Sequence, residues 1–199
     1  MDRSQLDNTN FHGNVINIGT KFQTSELMTI MRDNIRVNPD FEYPLFDHLI
    51  RLSGVIPEEK MYCIPGSNPA IKPSLTVLKY GAATGLTVGR ANNLRSYVRD
   101  YYQDGTETGS MEWAILGFSF QHRKFSAQGD SGSVVVDICG RIGGIITSGS
   151  HDPELDAVHI TYVSSIHSIM DSIRDEFPDI NLNPVISTET LNCDTTLNL

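Results

Sequence analysis

Residues 129–150 read Gly129-Asp130-Ser131-Gly132-Ser133-Val134-Val135-Val136-Asp137-Ile138-Cys139-Gly140-Arg141-Ile142-Gly143-Gly144-Ile145-Ile146-Thr147-Ser148-Gly149-Ser150, and they decide the fold. A serine set among Gly, Asp and Gly runs directly into an apolar strand at 133–136, turns at Cys139-Gly140, and returns as a second apolar run at 142–146. A serine hydroxyl is a poor nucleophile until a base takes its proton. Its attack on a carbonyl makes an oxyanion that needs fixed donors. Glycine at Gly129 removes the steric bar to a backbone that aims the amides of Gly129 and Ser131 into one cavity. Gly132 leaves space beside the hydroxyl. The alternative is a plain β-turn, for which Gly, Asp and Ser are common residues. The GxSxG elbow of the α/β-hydrolases is excluded, because the second residue after Ser131 is Ser133.

Working outward, short apolar runs bounded by glycine continue the pattern. Upstream are 75–80, the glycine-bounded turn Gly81 to Gly85, a return at 86–90, and 111–118. A polar loop, 121–130, precedes the serine, and a last strand is expected at 157–163. Short strands without alternating helices imply an all-β barrel or sandwich rather than a parallel sheet. One helix is clear: Ser164 or Ser165 can cap it, Ile166, Ile169, Met170, Ile173 and Phe177 share a face, and Pro178 stops it. Nearer the start, 13–18 and 49–56 alternate as strands do, Thr24 can cap a short helix over 25–32, and 34–44, with Pro39 and Pro44, reads as extended.

The chain of 199 residues carries 15 basic and 24 acidic residues, a net charge of −9. That excess repels nucleic acid and anionic membranes, and no basic stripe interleaved with aromatics offsets it. Three cysteines, Cys63, Cys139 and Cys193, are odd in number and widely spaced, with no CxxC. They suggest neither a disulfide framework nor structural zinc. No cofactor or metal site is suggested. The polar start, Met1-Asp2-Arg3-Ser4-Gln5, lacks the apolar core of a signal peptide, and no run approaches the roughly 18 apolar residues of a membrane span. A cytoplasmic protein is the expectation for the sequence as written.

The order of these features resembles the chymotrypsin/trypsin-like serine proteases, of the fungal or bacterial trypsin-like type. Gly129 to Gly132 matches their nucleophile loop. Ile142 to Ser150 looks like the strand that lines their substrate cleft, and Tyr162-Val163 with the helix after it looks like the end of their fold. Lys79-Tyr80-Gly81 through Gly89 is similar to one of their hairpins. The resemblance runs over about 75–178 and covers the second of the family's two barrels. It implies a six-stranded antiparallel Greek-key barrel with a C-terminal helix. It also implies an organisation of 1–60 as a remnant of the first barrel and the inter-barrel connection, 61–178 as the nucleophile-bearing barrel with its helix, and 179–199, rich in Asn, Thr and Ser, as a disordered tail.

The resemblance further implies Ser131 as nucleophile, Gly129 as an oxyanion-hole donor, and Phe125, Thr147, Ser148 and Gly149 as substrate-binding residues. Phe125, six positions before Ser131, stands where trypsin-like enzymes set charge preference, and Thr147 where a hydroxyl supports the catalytic Asp. Asp130 reads either as a turn residue or as the partner of a processed amino terminus. The family's His lies in an Ala-His context in the first barrel, and this chain has no Ala-His. Asp2, Asp7, Asn10-Phe11 and Gly13-Asn14-Val15 follow the order seen just after the family's catalytic Asp, so that Asp and the His are expected upstream of Met1. Three functions follow: a serine endopeptidase completed by an upstream barrel, a pseudoprotease that grips extended peptides along Thr147-Ser148-Gly149, or an inert fragment. The expected partner is a polypeptide substrate or peptide ligand, with association through an exposed inter-barrel face.

Overall fold

The computed structural model describes residues 14–19, 22, 24–35, 48–62, 74–119, 123–150 and 159–180. The expected tail from 181 on, Asp2, Asp7, His12, His122 and His151 lie outside them. The chain runs β1 (Val15–Asn17), α1 (Thr24–Ile35), β2 (Leu49–Arg51), α2 (Glu58–Met61), β3 (Thr76–Gly81), β4 (Gly85–Tyr101), β5 (Glu107–Gly117), β6 (Val134–Asp137), β7 (Ile142–Gly149), β8 (Ile160–Ser165) and α3 (Ile166–Glu176). The last six strands close an antiparallel barrel in the order β3-β4-β5-β8-β7-β6. Three strands go up one side, the chain crosses over, and three return, which is a Greek-key path. The expected six-stranded barrel with a C-terminal helix is the observed one.

Side-chain alternation sorts the core into two layers. Val77, Ala91, Trp113, Ile115, Val135, Ile146 and Val163, drawn from all six strands, share one buried cluster with Phe125, Ile56 and Met61. That cluster fills the barrel. On the opposite face of the same strands, Leu78 sits in register with Val88 and with Val136. These three pack outward against Ile16, Ile18, Phe22, Leu27, Ile30 and Ile50. The segments before the barrel therefore cover its β3–β4–β6 wall, and β3 is buried on both faces from Thr76 to Lys79.

The structure differs from the sequence expectation in three places. The expected strand at 49–56 pairs with β1 only over Leu49–Arg51. Beyond it the chain leaves β1 and lies along the start of β7: Ser53 N–H donates to Gly140 O at 3.0 Å and Ile56 N–H to Ile142 O at 2.9 Å. β4 and β5 extend well past 86–90 and 111–118, because a bulge between Ala91 and Arg95 re-aims the pair into a projecting arm. Trp113 sits at that bulge, its indole N–H donating to Asn92 O at 3.2 Å. Residues 34–35 end α1 instead of starting an extended stretch. The C-terminal helix matches its expectation, with Ser165 as the cap accepting from Ser168 N–H.

Candidate active site

The serine loop enters β6 and is fixed from below by Asp130. The Asp130 side chain is fully buried. Its Oδ1 accepts the Ala83 N–H at 2.9 Å and the Thr84 N–H at 3.2 Å. Its Oδ2 accepts the Thr84 hydroxyl at 2.7 Å and the Ala127 N–H at 3.0 Å. Lys79 Nζ, equally buried on β3, lies 3.0 Å from Oδ2 and also donates to Thr84 Oγ1 and Gly85 O. Two buried opposite charges in contact cancel, and each hydrogen bond offsets part of the desolvation that burial imposes. Burial pushes the Asp130 carboxyl up, but the bonds from Thr84, Lys79 and the amides of Ala127 and Ala83 outweigh it and hold the group well below the usual carboxylate range. A β-carbon at Gly81 would collide with Asp130 Oδ1, so the absence of a side chain there makes the socket.

Asp130 is thus more than a turn residue. Apart from the Ala127 amide in its own loop, its partners are on β3 and on the turn between β3 and β4. Lys79 is the cation that pairs with it among the described residues. The signal was available as a single lysine inside an apolar strand, followed two positions later by a glycine.

The rest of the loop hangs from this anchor. Asp130 N–H donates to Ala127 O and Ser133 N–H to Asp130 O, both at 3.0 Å. Gly132 N–H donates to Ile146 O at 2.8 Å, which ties the loop to β7. Gly129 adopts φ +98°, a conformation that a side chain would strain. Neither the Gly129 nor the Ser131 amide donates to an acceptor among the described residues. Ser131 itself is exposed, and its Oγ has one long contact, 3.5 Å to Thr147 O.

Thr147, Ser148 and Gly149 form the exposed end of β7. Pairing with β6 reaches Ile145, and Ile146 N–H donates to Ser133 O at 3.0 Å; beyond Ile146 no strand among the described residues pairs with the edge beside Ser131, while the other edge stays paired to β8. The Thr147 hydroxyl donates to Tyr162 O at 3.2 Å, which turns it to the backbone. Phe125 is placed differently from the other expected residues. Its side chain is fully buried in the barrel cluster, and Thr87 Oγ1 donates to its carbonyl at 2.6 Å. Its neighbours Lys124 and Ser126 instead line a cavity of about 490 Å³ together with Ser131, Ser148, Gly149 and His159.

Three histidines are described. His167, on α3, has its Nε2 2.8 Å from Ile56 O. His48 precedes β2 in a left-handed conformation, φ +54°. His159 lines the cavity. Among the described residues no hydrogen bond joins Ser131 Oγ to a nitrogen base.

Among solved structures, the chain is similar to Thermobifida fusca Protease A, at 18% identity over 63% of this chain and 53% of that one, with a TM-score of 0.40. It is also similar to the Nocardiopsis protease NAPase, at 17% identity over 66% of this chain and 55% of that one, TM-score 0.40. A third is Cellulomonas bogoriensis chymotrypsin, at 17% identity over 62% and 53% of the two chains, TM-score 0.39. The chain spans about half the length of these structures. No family model matches it. No curated protein matches it.

Proposed function

We propose that this is a serine endopeptidase-like protein of the chymotrypsin type, in which Ser131 attacks a peptide carbonyl once His and Asp are supplied by a barrel upstream of the residues in hand. The chain alone then hydrolyses little or nothing. One observation carries the reading: an exposed serine stands on a loop held rigidly by a buried aspartate, next to an open strand edge. In the reaction, an extended peptide pairs with 147–149, its carbonyl comes to Ser131 Oγ, and the supplied base takes the hydroxyl proton. The amides of Gly129 and Ser131 then donate to the oxyanion. Without the base, the oxyanion donors and binding are all that remain, a residual of roughly 10³-fold over water in intact folds.

The test is labelling with a fluorophosphonate probe. No label on the isolated chain, and label on Ser131 when the reading frame is extended upstream, supports the proposal. Label on the isolated chain that Ser131→Ala abolishes would show a base within it and remove the second half of the reading. The open edge of β7 also favours a peptide-binding pseudoprotease, which would bind peptides with no turnover even in the extended form.

A further inference from the structure

The cavity beside Ser131 has a chemistry of its own. Beyond Ser131 its polar wall is Lys124, Ser126, Gln128, Ser148, Ser150 and His159, and no carboxylate lines it among the described residues. Among the described residues the cavity's one charged lining side chain is thus a lysine, notable in a chain with a net charge of −9. Burial of Phe125 is what produces it. With the Phe125 ring packed inside the barrel, the loop presents its neighbours Lys124 and Ser126 to the cavity.

One hydroxyl of this wall is available as a donor. Ser150 Oγ accepts the Ile160 N–H at 2.9 Å, so its own proton is left for another acceptor. Ser126 Oγ and Thr161 Oγ1 share one hydrogen bond at 2.7 Å, which fixes the Ser126 oxygen in the wall. The His159 ring lies against Gly149, whose missing β-carbon would stand 3.3 Å from Nε2. Ala127 and Ile146 supply an apolar stretch of wall for a methylene stem.

We propose that this cavity receives an acidic side chain, glutamate or aspartate, of an extended polypeptide. The proposal rests on the reading of 147–149 as a peptide-binding edge. A carboxylate there accepts from the Ser150 hydroxyl and pairs with the Lys124 ammonium, whereas a lysine or arginine meets Lys124 as a like charge. A purely apolar side chain leaves the hydroxyls desolvated and unmatched.

The experiment is fluorescence anisotropy of the full chain with three otherwise uncharged extended peptides that differ at one position: Glu, Gln or Lys. The Glu peptide is expected to bind about tenfold more tightly than the Gln peptide, the effect of one charge-assisted hydrogen bond over a neutral one, with the Lys peptide weakest. Lys124→Met brings Glu and Gln to within about twofold, and Lys124→Glu favours the Lys peptide. Equal binding of Glu and Gln, or tightest binding of Lys, overturns the acidic subsite and leaves the peptide edge standing. Binding of none of the three overturns both. If both Lys124 variants melt as the parent does and keep its Glu-to-Gln ratio, the proposal also falls.

Discussion

The two ends of β6 are each built on a buried aspartate, and they do opposite things. At the far end Asp137 closes on its own neighbourhood. Its Oδ1 accepts the Cys139 and Arg141 amides at 2.9 Å, and its Oδ2 takes the Arg141 guanidinium, at 2.7 Å from Nε. All its partners lie within four residues, and Arg141 remains partly exposed. At the near end Asp130 reaches to Lys79, Ala83 and Thr84 on the adjacent β3–β4 hairpin, and its cation is fully buried. The first arrangement shapes a tight turn. The second clamps a loop to a distant hairpin, so the next residue, Ser131, can stand exposed on a rigid base. A local aspartate turn serves a hairpin, and a long-range one serves a site.

Four experiments break or sharpen this contrast. The largest effect is expected of Asp130→Ala, which leaves Lys79 buried without its carboxylate. The expected loss is about 3–5 kcal/mol, read as a fall in melting temperature of roughly 10 °C or more. A loss below that of Asp137→Ala would undo the distinction. For Asp137→Ala, about 1–2 kcal/mol is expected from chemical denaturation, because Arg141 and Cys139, both partly exposed, can regain water. Acid titration should separate parent from Asp130→Asn more gently. The carboxyl is held below its unfolded value of about 3.9. Its contribution is therefore complete above that pH and declines as pH falls toward the lower folded value. The melting-temperature gap between the two proteins should hold steady from neutral pH to about pH 5 and narrow below pH 4. A gap that widened in acid would mean the carboxyl is not stabilised as an anion. The smallest change belongs to Ser131→Ala: exposed and barely bonded, it should shift stability by no more than about 0.5 kcal/mol while ending any fluorophosphonate labelling of the extended protein.

How much could be read from the sequence follows the same division. The Cys139-Gly140 turn, the apolar runs of β3, β6 and β7, the α3 stripe and the Ser165 cap rest on residues close in sequence, and each was legible. The Lys79–Asp130 pair spans 51 positions: the lysine stands out among its apolar neighbours, but nothing near it in sequence identifies Asp130 as its partner. Phe125 was placed by counting back from Ser131, but a count does not reveal which way a loop residue turns, and packing turned this one inward. The β4–β5 arm lacked a period-two signal for another reason. Beyond the bulge nearly every residue from 94 to 111 faces solvent, so no buried face selects apolar residues on alternate positions. Its order comes instead from the backbone ladder that runs from Arg95–Trp113 to Tyr101–Glu107, with pairs such as Arg95 on the Tyr62 ring, 4.4 Å away, and Arg99 with Glu107 at 3.6 Å beside it.

Lys79 has one more consequence. A primary amine with no exposed surface is closed to acylating reagents as long as the loop stays docked. Its chemical modification requires that the hairpin and the serine loop part, if only briefly. Mass spectrometry of that single lysine, followed over time in mild reagent, would count those partings and turn a static ion pair into a clock for the loop that carries Ser131.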